Sequence, residues 1–414
     1  MQQHRIVVIG AGYTGASAAG RLARRLRRQD VAITLVNAEA DFVERVRMHQ
    51  LATGQDLKPR PFAAMFAGTG VELKLARVTA VDAESRTVRV RGVSDTGVSD
   101  TGVPGAAEET LEYDTLVYAL GSGWNDHGVP GAAEHAYDIA GRPGALRLRE
   151  RLAGLRAGEP VVVVGGGLTG LEAATEIAEA RPELRVELAV RGELGDWLSA
   201  KGRGHLRKVV DRLGITVHEN TEVTAVAADR VTTADGTEVR AAATVWTTGF
   251  AVHPIAEATT LEVTEAGQIV VDGTMRSTSH PDVYAIGDAA MAMGPGDKPL
   301  RMSCATGTPM AWQAADAIAA RLTGGKLPKT PMRYFNQCVS LGRKDGLIQY
   351  VTADDRAVNA ALTGRFAARY KELVCKGAAW AVANPLLGLP TRPRPLITRE
   401  RPAENTDAPL KAAA

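Results

Sequence analysis

The chain has 414 residues, 45% hydrophobic and 23% charged, the balance of a soluble globular protein with room for two or three domains. Its net charge of +2 offers no general case for nucleic acid or for a strongly acidic partner. Three cysteines with no C-x-x-C pair, and eight histidines with no H-E-x-x-H, argue against a disulfide framework, a redox dithiol and a metal site.

No uncharged apolar run approaches the roughly 20 residues of a membrane span. The first apolar stretch, after His4 and Arg5, has the outline of a signal peptide. Its glycine punctuation recurs deep inside the chain, so it is read as folded structure, with the cytoplasm as default compartment.

Arg5 to Ile9 predicts a strand, Gly10 to Gly15 a tight turn, Ala16 to Arg28 a helix and Val31 to Val36 the next strand. Val71 to Val81 and Thr87 to Val93 read as paired strands, and a tandem Val-Ser-Asp-Thr-Gly repeat at 93–102 reads as a surface insertion. The first unit then recurs: strand Val161 to Val164, turn Gly165 to Gly170, helix Leu171 to Ala180, strand Val186 to Val190. Alternation of this kind predicts parallel sheets in doubly wound domains. A long Ala-rich helix is expected at about Pro309 to Leu322, then a linker at Gly324, Gly325 and Pro328, and a small C-terminal domain.

Both turns match G-x-G-x-x-G: Gly10, Gly12 and Gly15, then Gly165, Gly167 and Gly170. In such a turn the first glycine permits the bend, the second lets backbone approach a pyrophosphate, and the third lets helix pack on strand. The phosphate charge then sits on free N–H groups at the helix N-terminus. One match is weak evidence; two in full strand–turn–helix context predict two dinucleotide sites and electron transfer between them.

Four further stretches carry a family resemblance: His49-Gln50-Leu51-Ala52-Thr53-Gly54, Tyr113 to Ser122, Thr244 to Gly249, and Ile286-Gly287-Asp288-Ala289. With the fingerprints, over about residues 5 to 350, the chain resembles the two-dinucleotide-binding flavoprotein superfamily. Within it, the chain is most similar to type II NADH dehydrogenases and apoptosis-inducing-factor-like oxidoreductases. The resemblance implies an α/β glutathione-reductase-like fold of two Rossmann-like doubly wound domains with a small C-terminal α+β domain. It implies an FAD domain in two parts (1–145 and 246–325), an NAD(P) domain (146–245) and a C-terminal domain (326–390); the many prolines and charges from Pro390 on predict a disordered tail (391–414). The cofactors it implies are FAD and either NADPH or NADH. Gly10, Gly12, Gly15, Asn37, Glu39, Arg45, Val78, Gly121, Asp288 and Ala289 would serve FAD. Gly165, Gly167, Gly170, Arg191 and Gly249 would serve NAD(P), with Glu172 near the nicotinamide–flavin stack and Gln50 toward the acceptor.

Three departures qualify that expectation. Asn37 stands where an acid usually binds the adenosine ribose; an amide can still bond a hydroxyl. Arg191 replaces the corresponding acid of the second unit, which suits a 2′-phosphate and favours NADPH, the alternative being a solvated arginine with both nucleotides accepted. Cys304 to Pro309 contains none of the glutamines of the quinone-binding family segment. The expected activity is therefore NAD(P)H oxidation with electrons passed to a quinone-like or other aromatic acceptor. FAD chemistry on a small metabolite, and an apoptosis-inducing-factor-like redox sensor, stay open. Arg45 has the alternative of a solvated surface residue, and Glu172 that of a first-turn carboxylate. Trp312 and Cys304 are read as core residues rather than acceptor-site groups. Leu362, Phe366, Tyr370, Leu373 and Trp380 recur at helical spacing among Arg365, Arg369, Lys371 and Lys376. A helix packed on the domain or at a homodimer seam is preferred; an interfacial helix on the inner face of an anionic membrane is the alternative.

Overall fold

The computed structural model describes residues 3–93, 108–329, 332–386, 388 and 392–397. The tandem repeat at 93–102 lies outside them, apart from Val93, as does the tail beyond Ile397.

Two parallel sheets organise the chain. The first has seven strands in the order Val283–Ala285, Thr115–Tyr118, His4–Ile9, Val31–Asn37, Val71–Asp82, Thr87–Gly92 and Glu108–Glu112. The first five are mutually parallel, and the last two continue as an antiparallel meander. The second sheet has five strands, in the order Thr216–His218, Arg185–Ala189, Pro160–Val164, Ala243–Trp246 and Ala136–Asp138. That last strand lies before residue 145, so the second nucleotide unit recruits chain from the segment expected to belong wholly to the first. Ile6, Val8 and Ile9, and Val161 to Val163, are fully buried, as strands covered on both faces must be.

Each fingerprint turn feeds a helix, Tyr13–Arg25 and Leu168–Ala180. The first packs on Cys304–Thr323, which starts earlier than the sequence pattern suggested. Ala16, Ala19, Ala311, Ala314 and Ala315 are fully buried, and their small side chains let the two helices approach closely. Asp316 fastens the pair, accepting from Arg21 at 2.7 Å and from Arg25 at 3.0 Å. Two linking strands, Ser122–Trp124 and Phe250–Val252, pair antiparallel where the chain crosses between the nucleotide units.

The C-terminal part is a three-stranded antiparallel sheet, Asn336–Ser340, Gly346–Val351 and Ala357–Thr363, followed by the helix Gly364–Ala383. Leu362 therefore lies on a strand, outside the helical stripe to which spacing assigned it. Residues 392–397 are ordered against the first unit, contrary to the expectation of a disordered tail there: Arg394 N donates to Arg25 O at 3.2 Å and Ile397 N to Leu322 O at 2.9 Å.

Candidate functional site

The two glycine turns are geometrically alike. A Cβ on Gly15 would stand 1.8 Å from Gly10 O, and one on Gly170 would stand 1.9 Å from Gly165 O. Gly10 (φ 89°) and Gly165 (φ 121°) hold a backbone region that only glycine adopts without strain. A Cβ on Gly12 or Gly167 would meet nothing within 4 Å, so the middle glycine of each turn faces open space. Neither following helix has a side-chain cap, and both leave N-terminal N–H groups for an anion. These cradles fit two dinucleotide pyrophosphates.

Around the first cradle the structure gathers Arg45, Ser122 and Asp288. Ser122 Oγ donates to Asp288 Oδ2 at 2.6 Å, and Arg45 donates to the same oxygen at 3.2 Å and to Ser122 Oγ at 3.0 Å. The Arg45 guanidinium also lies 4.8 Å from the centroid of the Phe250 ring. Burial, opposed by Asp288, lowers its pKa, and the Arg45 side chain is half-buried, held by Asp288 and Ser122 rather than extended into solvent. Its donors face Asp288 and Ser122 beside Gly121 rather than the glycine turn. Ala289 is buried next to Asp288. Val78 is buried in the strand Val71–Asp82, beside a register shift in its pairing with Thr87–Gly92.

Asn37 takes a role that sequence did not suggest. Its Oδ1 accepts from Ala11 N at 2.9 Å and its Nδ2 donates to Glu39 O at 2.8 Å, so the amide braces the fingerprint turn instead of standing free for a ribose. Glu39 is half-buried, and burial raises its pKa against the pull of Arg142 and Arg77.

At the second cradle, Thr247 donates to Val164 O at 2.7 Å and walls the turn. Gly249 lies across from His127, whose Nε2 is 3.3 Å from Thr248 O. Arg191 follows the strand Arg185–Ala189, is exposed, and makes no hydrogen bond or ion pair among the described residues.

Between the cradles lies a buried polar cluster. One oxygen of Glu172, Oε1, accepts from Ser340 N, Ser340 Oγ and Lys371 Nζ, each at 3.0 Å. Burial opposes ionisation of this carboxyl more than any other single influence. Lys371, His49 and the Ser340 N–H together outweigh it and hold the pKa below the ordinary range. Burial likewise opposes the Lys371 charge, and Glu172 reverses the effect, so the ammonium is held firmly. His49 is buried, its Nε2 3.4 Å from Ser340 Oγ, and desolvation lowers its pKa to about 4. Gln50 is buried beside it and accepts from Arg47 at 2.9 Å; Arg47 is itself paired with Glu44 and Glu372 at 3.0 Å each. One helical turn beyond Glu172, Glu176 bonds Gln55 through one oxygen while the other has no partner, and burial raises its pKa to about 7.

Ser340 and Lys371 were missed by sequence reasoning. Lys371 counted only as one cation among several on a helix, and nothing local marks it as the inward one. Cys304 and Trp312, expected in the core, are exposed; Arg21 stacks on Trp312 at 5.6 Å. All three cysteines are free thiols, and burial pushes Cys338 up to about 11 and raises Cys375.

Two glycine cradles on separate parallel sheets, joined by a crossing strand pair and a shared buried cluster, define a flavoprotein that binds two dinucleotides. The chain belongs to the pyridine nucleotide-disulphide oxidoreductase family, whose model matches residues 4–319. It is thus an FAD- and NAD(P)H-dependent oxidoreductase, here without the redox dithiol of the family's name. An NADH dehydrogenase-like protein of Mycobacterium tuberculosis is 30% identical over 331 residues, covering 74% of this chain and 78% of that protein. The type II NADH:quinone oxidoreductase NdhA of the same organism is 28% identical over 381 residues, covering 81% and 76%. Among solved structures, the sulfide:quinone oxidoreductase of Aquifex aeolicus superposes with a TM-score of 0.76 at 19% identity, covering 96% of this chain and 98% of that one. NDH2 of Plasmodium falciparum, in complex with NADH, gives 0.75 at 14% identity, covering 93% and 97%. At these identities the two structures establish the shared fold alone.

Proposed function

We propose that the chain oxidises NAD(P)H and passes the electrons to a lipid-soluble quinone at a membrane surface. The observation that carries this reading is the two-faced helix Gly364–Ala383. Its inner face buries Ala367, Cys375 and Ala379 and delivers Lys371 to Glu172. Its outer face exposes Phe366 (67%), Tyr370, Leu373 (69%), Val374 and Trp380 (54%). This stripe is not packed on the domain, which leaves a homodimer seam or a membrane surface of the readings the sequence offered. Large apolar groups exposed at i, i+4, i+7, i+8 and i+14, flanked by exposed Arg365, Arg369 and Lys376, suit an interfacial helix on anionic lipid. Among the described residues no helix is long and apolar enough to cross a membrane. The relatives named as NADH:quinone oxidoreductases support the acceptor class.

The residues divide the work as follows. The glycine turns hold the two pyrophosphates by backbone N–H groups. Arg45, Ser122 and Asp288 form a charged anchor for the flavin nucleotide. FAD held there would supply the two-electron redox chemistry that links NAD(P)H oxidation to reduction of the acceptor. Glu172 and Lys371 maintain a fixed, water-shielded ion pair between the two sites, and Gln50, clamped by Arg47, is assigned to orient the acceptor. Arg191, without a partner among the described residues, is assigned to the 2′-phosphate of NADPH.

The test uses the FAD-loaded enzyme with a long-chain quinone embedded in vesicles and with a short, water-soluble quinone. The variant Leu373→Ser/Trp380→Ser should lose tenfold or more of its vesicle-borne turnover, on the order of 1.5–3 kcal/mol per apolar side chain, and keep the soluble rate. Equal rates in both assays would remove the membrane reading. A doubled mass in solution that the same variant abolishes would make the stripe a dimer seam.

A further inference from the structure

Tyr13 follows Gly12 in the first cradle and opens the helix Tyr13–Arg25. It is 8% exposed, and its hydroxyl is buried with no hydrogen-bond partner among the described residues. The ring packs edge-on against Phe42, with centroids 4.9 Å apart and planes at 85°. A phenylalanine would make that contact equally well, without withdrawing a hydroxyl from water and leaving it unbonded. Tyr113 and Tyr118 also leave a hydroxyl unbonded, but both are at most 1% exposed within the core of the first unit. Tyr13 differs in what it stands beside.

A Cβ on Gly307 would stand 2.7 Å from Thr14 Cγ2, and one on Gly287 would stand 2.9 Å from it. The residue next to Tyr13 is thus wedged against the first turn of the helix Cys304–Thr323 and against the turn that carries Asp288. Cys304, at the start of that helix, is exposed, yet burial raises its thiol pKa, so it lines a recess rather than an outer surface. The charged groups that act on Cys304 are Lys371, Glu172 and Asp288, which places the recess between the flavin anchor and the buried ion pair. Burial also raises the Tyr13 pKa, with Cys304, Glu44 and Cys375 adding to the effect and Arg47 opposing it. Arg47 is the residue that holds Gln50, at 2.9 Å. Tyr13 therefore stands where the flavin anchor, the recess at Cys304 and the clamp on Gln50 meet.

A phenol with a raised pKa keeps its proton at neutral pH and is available as a hydrogen-bond donor. The complementary group on a ligand is a carbonyl oxygen, and the bond strengthens as that oxygen gains negative charge on reduction. We infer that the Tyr13 hydroxyl donates to a ring carbonyl oxygen of the quinoid acceptor and, together with Gln50, sets the acceptor's position beside the flavin site. This rests on the quinone reading proposed above.

The experiment compares wild type with Tyr13→Phe, both FAD-loaded, using a short-chain water-soluble benzoquinone and using ferricyanide, which has no carbonyl group. The variant should raise KM for the benzoquinone about five- to tenfold, the worth of one hydrogen bond. Its ferricyanide rate, its flavin content and its anaerobic flavin bleaching by NAD(P)H should match wild type. Its melting midpoint without quinone should equal or exceed that of wild type, because a buried unbonded hydroxyl has gone. Added benzoquinone should then stabilise the oxidised wild type more than the variant. An unchanged KM would overturn the inference and leave the quinone reading standing. Equal losses with both acceptors, or a lower melting midpoint, would make the hydroxyl structural and overturn it too. A fall in flavin content with KM unchanged would assign the hydroxyl to the cofactor instead. A wild type that reduces ferricyanide but no quinone defeats the quinone reading and this inference with it.

Discussion

Replacing Lys371 with Met removes the cation from the Glu172 pair and leaves a carboxylate in the interior with only Ser340 and His49 beside it. The two side chains are 16% and 11% exposed, so solvent does little to soften the loss. Breaking a buried pair from one side costs about 3–5 kcal/mol. At roughly 2.1 cal/mol/K of unfolding entropy per residue, 414 residues convert this into a fall of about 3–6 °C in the melting midpoint. The pH dependence has a definite sign. In the wild type the depressed pKa of Glu172 contributes stability above the unfolded value of 4.5, lost as pH falls through the folded pKa. Without Lys371, burial dominates and raises that pKa, so the variant's deficit is largest at pH 8 and shrinks toward pH 4. The assay is a double-mutant cycle of Glu172→Gln, Lys371→Met and the pair, followed by thermal melting of the flavin-loaded protein at both pH values. The double variant should lie within about 2 kcal/mol of wild type. Additivity within about 0.5 kcal/mol would show that the two groups do not interact and refute the argument.

Glu176→Gln keeps a side chain that can meet Gln55 and removes a carboxyl whose pKa burial has raised from 4.5 to about 7. A raised acid destabilises the fold as pH climbs from the unfolded to the folded pKa; at 1.36 kcal/mol per unit the variant should gain about 3 kcal/mol above pH 7 and nothing near pH 4. Melting curves at the two extremes decide it, and a pH-independent difference would be contrary. Arg191→Ala should raise KM for NADPH about tenfold or more, the worth of a charge-assisted hydrogen bond, and leave NADH unaffected; equal effects on both would place Arg191 outside the nucleotide site. Gly15→Ala forces a Cβ to within 1.8 Å of Gly10 O and should lower both flavin content and melting point. Gly12→Ala has room for its methyl in the empty protein, so flavin content alone, read as the visible-to-ultraviolet absorbance ratio, should fall.

Both fingerprints, the strands that feed them and the Asp288 turn were legible because they are local. A glycine forced to positive φ, a β-branched run covered on both faces and a helix opening onto an anion each leave their mark within a dozen residues. Glu172 and Gln50 were legible as members of motifs, but their partners were not.

What the linear chain decided by itself is the presence of two nucleotide cradles and the order of the elements around them. Tertiary structure alone decided which side chains meet between those cradles. Ser340 and Lys371 reach Glu172 from the C-terminal sheet and helix, and Asn37 turns back to brace Ala11. It also decided which way the last helix faces. Periodicity registers a stripe of large apolar residues on that helix, and hydrophobicity would send them inward. The inner face of the helix buries Ala367, Cys375, Ala379 and Val382 and turns Lys371 inward, and Phe366, Leu373 and Trp380 are left outside. That choice belongs to the space between elements, which no stretch of sequence contains.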